Sequence, residues 1–114
     1  MLSFDLYYSF RSPYSYLATP QLEALRAKYD IEINLKVVRP IAVRIPGFFK
    51  QVNPLWPPYL ARDTYRIAQR LGIPYSWPRP DPIIMNVGTG EVQAEQPYIM
   101  GVSRMGVAAA EAGR

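Results

Sequence analysis

Ser9-Phe10-Arg11-Ser12-Pro13-Tyr14-Ser15-Tyr16-Leu17 is the stretch in which a strand pattern gives way to a helical one. Upstream, Phe4, Leu6, Tyr8 and Phe10 alternate with Ser3, Asp5, Tyr7 and Ser9, the period-2 signature of a strand with one buried face. Ser12-Pro13 then reads as a helix start. A serine oxygen takes one of the orphan backbone N–H groups, and proline suits the first helical position because its missing N–H would be unpaired there. Ser12 is therefore expected at the carboxyl end of a strand and the amino end of a helix. In open α/β sheets ligands bind in that crevice, and a helix N-terminus favours anions through its free N–H groups. The plainer alternative is that Ser12 caps the helix and does nothing else, since every helix leaves such groups to satisfy.

Moving outward, the helix should run from Pro13 to about Tyr29. Leu22, Leu25 and Tyr29 form its apolar stripe, and Pro20 should kink it. Ile31, Ile33, Leu35 and Val37 alternate with Glu32, Asn34 and Lys36 as a second strand. Two strands bridged by a helix make a right-handed βαβ unit with the strands parallel. Arg39-Pro40 ends the strand, and residues 41–50 are ambiguous between short helix and loop. Residues 51–58, with three prolines, read as a long loop. A helix over residues 58–71 follows, closed by Gly72 with Pro74 beyond. Leu60, Thr64, Ile67, Ala68 and Leu71 share its inner face, while Tyr59, Arg62, Arg66 and Arg70 lie on another, the usual pattern of a solvated side. After a proline-stiffened loop over 76–82, residues 83–91 show no period and Gly88-Thr89-Gly90 reads as a turn. A last helix spans 95–112, with Tyr98, Val102, Met105, Ala109 and Ala112 at helical spacing and Gly101 and Gly106 weakening it.

Composition bounds the chemistry. The 114 residues suffice for one domain or part of one, able to bury roughly 60–70% of the unfolded surface. There is no cysteine and no histidine, which excludes a disulfide framework, a CxxC redox centre, cysteine or histidine nucleophiles and the usual zinc sites; no metal is expected. A net charge of +4 suits a small anionic ligand, and the spread of basic residues speaks against nucleic acid. No apolar run is long enough to span a membrane. The opening Met1-Leu2-Ser3-Phe4-Asp5 lacks the basic and apolar regions of a secretory signal, which sets a cytoplasmic expectation.

Phe10-Arg11-Ser12-Pro13-Tyr14-Ser15-Tyr16-Leu17 resembles the opening of the 2-hydroxychromene-2-carboxylate isomerases and of their relatives, the kappa-class glutathione transferases. Both lie on the DsbA side of the thioredoxin-like superfamily, where a helical domain is inserted into the thioredoxin fold. The resemblance continues through Arg39-Pro40, Asn53, Tyr59 and Leu71-Gly72-Ile73-Pro74, covering most of residues 4–80. It implies an α/β fold of thioredoxin-like (DsbA/kappa) type. Residues 1–40 would be the N-terminal βαβ part, and 41–114 a helical insertion domain, incomplete. The second half of the thioredoxin fold would be missing. An open sheet edge and an uncovered face would then favour a homodimer.

By resemblance Ser12 is the catalytic residue and meets the sulfur of glutathione, with Pro13, Asn53, Trp56 and Tyr59 around the cofactor. Ser12 and Ser15 stand at the two positions of the redox pair, which excludes a DsbA-type oxidoreductase for this chain. Lowering a thiol pKa from about 8.5 to about 6.5 requires roughly 2.7 kcal/mol in favour of the thiolate. A helix N-terminus supplies about 0.3–1 kcal/mol and a hydrogen bond to a charged acceptor about 1.5–3. The implied activity is glutathione-dependent isomerisation of aromatic-degradation intermediates, with a small aromatic molecule as substrate. The alternatives are a kappa-type glutathione transferase and a truncated, non-catalytic binding module. One departure stands out: relatives commonly carry lysine three positions before the tyrosine aligned with Tyr59, and here that position is Trp56. Either the glutathione carboxylate would then need Lys50, Arg62 or Arg66 instead, or the cofactor is not glutathione, while Trp56 could stack on an aromatic substrate or simply pack.

Overall fold

The computed structural model of the chain describes residues 1–86 and 88–113. It is a mixed α/β architecture that opens with a βαβ unit: β1 (Leu2–Tyr8), α1 (Pro13–Lys28) and β2 (Ile31–Val37). The two strands pair in parallel, Leu2 opposite Ile31 through Tyr8 opposite Val37. Phe4, Leu6 and Tyr8 are the half-buried members of β1, as its alternation requires. The strand stops at Tyr8, however, and Phe10, expected to extend it, lies in the turn that follows.

α2 (Ile41–Arg44) and α3 (Phe48–Gln51) resolve the ambiguous stretch as two single-turn helices, separated at Gly47, whose φ is 71°. α4 (Trp56–Leu71) begins two residues earlier than expected. The first four N–H groups of a helix have no intrahelical partner, so Pro57 and Pro58 remove nothing there, and Trp56-Pro57-Pro58 is helix rather than loop. Its inner face is the expected one, with Thr64 and Ala68 buried and Arg62, Arg66 and Arg70 exposed. Gly72 closes it in the left-handed conformation, its N–H and that of Ile73 returning to the last turn.

Beyond the proline-rich loop, β3 (Met85–Asn86) and β4 (Glu91–Val92) form an antiparallel hairpin around the Gly88-Thr89-Gly90 turn. No strand was expected over residues 83–91, because two-residue strands are too short to show a period; Val87 lies outside the described residues. α5 (Pro97–Glu111) packs against β2. Its buried residues are Ile99, Ser103 and Gly106, whereas Tyr98 and Met105, from the expected stripe, are exposed. The helix is apolar around much of its girth, so spacing alone did not select the face. The small residues did. The Phe10 ring lies so close to Gly106 that an added Cβ would overlap it.

Two clusters hold the chain together. Ile83 and Ile99, 2% and 0% exposed, join Ala42, with Val43, Phe49, Met85, Val92 and Met100 packed around them. Full burial of a side chain such as Ile99 contributes about 1.5–3 kcal/mol. Gln96, just before α5, is also buried and bonds both backbone groups of Ile84, at 2.8 and 2.9 Å. The second cluster lies where α1 meets α4, around Leu17, Thr64 and Ala68. Leu25 of α1 and Tyr29 just beyond it, expected to face a core, are exposed instead. No helix among the described residues is long and apolar enough to cross a membrane.

Candidate functional site

A cavity of about 870 Å³ opens beside the carboxyl ends of β1 and β2 and the amino end of α1. That is within the range of small-molecule sites. Ser9, Ser12 and Ser15 line one part of it, and Phe48, Trp56 and Trp77 contribute aromatic walls. Ser12 takes extended angles (φ −84°, ψ 118°) and caps α1, its Oγ accepting the Ser15 N–H at 3.3 Å. A hydroxyl has one donor and two acceptor sites. Capping uses an acceptor site only, and the Ser12 proton has no acceptor among the described residues. Capping and donation to a ligand are therefore compatible rather than rival readings of Ser12. The first turn of α1 holds no acidic residue, so no carboxylate of its own neutralises the positive end of the helix dipole.

The turn before Ser12 is cross-braced. The Ser12 N–H donates to the Ser9 carbonyl at 3.1 Å, the Arg11 N–H to Ser9 Oγ at 3.3 Å, and the Ser9 N–H to Ser15 Oγ at 3.4 Å. α1 is anchored to α4 by the Tyr14 hydroxyl, which donates to Asp63 Oδ2 at 2.7 Å. That bond, with burial adding to it, pushes the Tyr14 phenol up to about 12. Tyr14 stays neutral at ordinary pH and is not a base for the site. Tyr16 donates in turn to the Pro74 carbonyl, just past the end of α4.

Pro13 and Trp56 line the cavity. Trp56 also packs edge-on against Phe48, ring centroids 5.9 Å apart, so it serves both as packing and as wall. Asn53 and Tyr59 are not among the lining residues. Asn53 Oδ1 accepts the Leu55 N–H at 2.9 Å, shaping the entry to α4, and Tyr59 is 60% exposed. Lys50 is paired with Glu91 at 3.0 Å, and neither it nor Arg62 nor Arg66 lines the cavity.

The charged side chains that do line it are Arg11, Arg44 and Asp81, none of which the sequence marked for a role. Arg11 Nε and Nη2 donate to the two Asp81 carboxylate oxygens at 2.8 and 2.9 Å. Its guanidinium carbon lies 4.5 Å from the Trp77 ring centroid. Arg44 donates from Nε to the Arg39 carbonyl at 2.8 Å and has no acidic partner among the described residues. Arg11 carries no sequence signal beyond standing next to Ser12, which does not set it apart from any solvated arginine. Its partner is 70 residues away and left no local trace.

Residues 4–95 match the DSBA-like thioredoxin domain family, a span that takes in Ser12, Arg11 and Asp81. Comparison with curated proteins and with solved structures returns no match. The matched span is well over half of the chain and takes in the βαβ unit from Phe4 onward, so the chain belongs to the DSBA-like thioredoxin domain family.

Proposed function

We propose that the cavity takes glutathione with its sulfur against the Ser12 hydroxyl, and that the chain is a glutathione-dependent isomerase of the 2-hydroxychromene-2-carboxylate kind. The observation that carries this reading is the placement of Ser12: its Oγ is held by the Ser15 N–H, the residue lines a ligand-sized cavity, and its hydroxyl proton, free to rotate, has no acceptor among the described residues. When bound, glutathione would supply a thiolate able to add reversibly to a conjugated double bond. Ser12 would donate to that sulfur, and the positive end of the α1 dipole would favour its negative charge. Trp56 and Trp77 offer flat apolar walls suited to an aromatic co-substrate and to excluding water. The chain has no cysteine, so it carries no dithiol couple of its own and the family's thiol chemistry would have to come from a bound thiol. Asn53 and Tyr59 would not hold the tripeptide directly, given where they stand.

The test is turnover of a cis-configured aromatic-pathway intermediate with catalytic glutathione, in the protein and in Ser12→Ala. Loss of a charge-assisted bond predicts about a tenfold or greater fall in kcat/KM. Equal turnover by Ser12→Ala would sink the proposal. A product that retains the tripeptide would assign a kappa-type transferase instead, and no glutathione binding by a folded chain would leave a binding module.

A further inference from the structure

The Arg11–Asp81 pair is unlike the chain's other ion pairs. The Lys50–Glu91, Arg26–Glu23 and N-terminus–Asp30 pairs are about half exposed or more, whereas the Arg11 side chain is 15% exposed and Asp81 29%. It is bidentate, it lines the cavity, and it sits at the residue preceding Ser12. Arg11 also lies over Trp77, and Asp81 Oδ1 accepts the N–H of Ile83, a residue of the main core, at 3.0 Å. Asp81 is thus fixed from the core side, and the guanidinium is fixed by Asp81 and Trp77. Two of the five N–H donors of Arg11 are used. A planar fork of this kind is matched to carboxylates, and beside aromatic walls it is a preformed carboxylate receptor.

We infer that Arg11 is a ligand-binding residue for a carboxylate on the bound molecule, and that Asp81 is a built-in competitor which occupies Arg11 when the cavity is empty of one. The inference rests on reading this cavity as the ligand site, and not on the thiolate role of Ser12. The carboxylate could be borne by the thiol cofactor or by the aromatic co-substrate. In both cases an incoming carboxylate must displace Asp81 or share its guanidinium, and the Coulomb cost of the second negative charge falls on binding. Removing the Asp81 charge should then tighten carboxylate binding. A clasp that only holds the wall in place predicts the opposite, because loosening Trp77 degrades the site.

The test uses benzoate and its neutral counterpart benzamide as probes, with binding read from the fluorescence of Trp56 and Trp77, the chain's two tryptophans. Asp81→Asn should bind benzoate about tenfold more tightly, or about 1.4 kcal/mol, with benzamide unchanged. Arg11→Gln should bind the two probes alike. Weaker or unchanged benzoate binding by Asp81→Asn, or a preference for benzoate that survives Arg11→Gln, would overturn the inference. A check free of mutation is the Arg11 Nε–H resonance of the unmodified protein, which benzoate should shift and benzamide should not; no shift with benzoate would also overturn it. Titrating glutathione against its diethyl ester, with and without benzoate, identifies which partner brings the carboxylate. Ser12→Ala should leave the benzoate preference intact, so failure of the thiolate reading and failure of this one are told apart.

Discussion

Tyr14 is two residues from Ser12, and its phenol belongs to the packing of α1 on α4 rather than to the chemistry of the cavity. Its proton is held by Asp63 to about pH 12, against about 10 for a free tyrosine. Between those values the unfolded chain has lost a proton that the native state keeps, so native stability falls as pH rises through this window and is fully present below it. A difference titration at the tyrosinate band, the protein minus Tyr14→Phe, should show a midpoint near 12; a midpoint near 10 would contradict the bond. Residues whose roles are local were legible in the sequence. Ser12 was identifiable from Ser-Pro at a strand-to-helix junction, and Gly72 from its place after an amphipathic run. Arg11 was not, since an arginine in a turn looks like any solvated charge until Asp81 and Trp77 are folded onto it. Asn53 was legible as a loop residue, and its carboxamide turned out to shape the start of α4.

At the scale of elements, α5 separates two glycines that look alike in sequence. Gly101 is exposed with nothing within 4 Å of an added Cβ, whereas a Cβ at Gly106 would stand 2.1 Å from Phe10 Cε2. Gly101→Ala should stabilise the protein by about 1 kcal/mol, the ordinary gain in helix propensity. Gly106→Ala makes the same gain and must also displace the Phe10 ring, where overpacking costs about 1–3 kcal/mol, so the net effect should be destabilising. In a Phe10→Ala background the sign at Gly106 should reverse. Thermal unfolding of the four variants checks this, and equal effects at the two glycines would contradict the packing of Phe10 on α5. The same contact explains why the inner face of α5 was misread: a glycine and a serine carry no apolar signal, yet they allow the close approach. Long periodic elements such as β1, β2, α1 and α4 were legible, and the two-residue strands of the hairpin were not.

Over the whole molecule, a two-stranded parallel sheet places the ends of both strands and the start of α1 at one cavity, whose far wall includes Asp81, 70 residues from Arg11, and the hairpin beyond it. That cavity could be expected from the βαβ unit, which brings a helix N-terminus to the crevice at the strand ends. Its walls could not, because Trp77, Asp81 and the hairpin reach it only through the tertiary packing of Ile83 and Ile99. The central claim concerns the charge state of a sulfur beside Ser12, and thiolate absorbance reads that directly. Glutathione bound to the protein should ionise near pH 6.5, about two units below the free thiol, and return most of the way toward about 8.5 in Ser12→Ala. Bound glutathione that titrates at its solution value in the unmodified protein, or identically in both, would contradict the account.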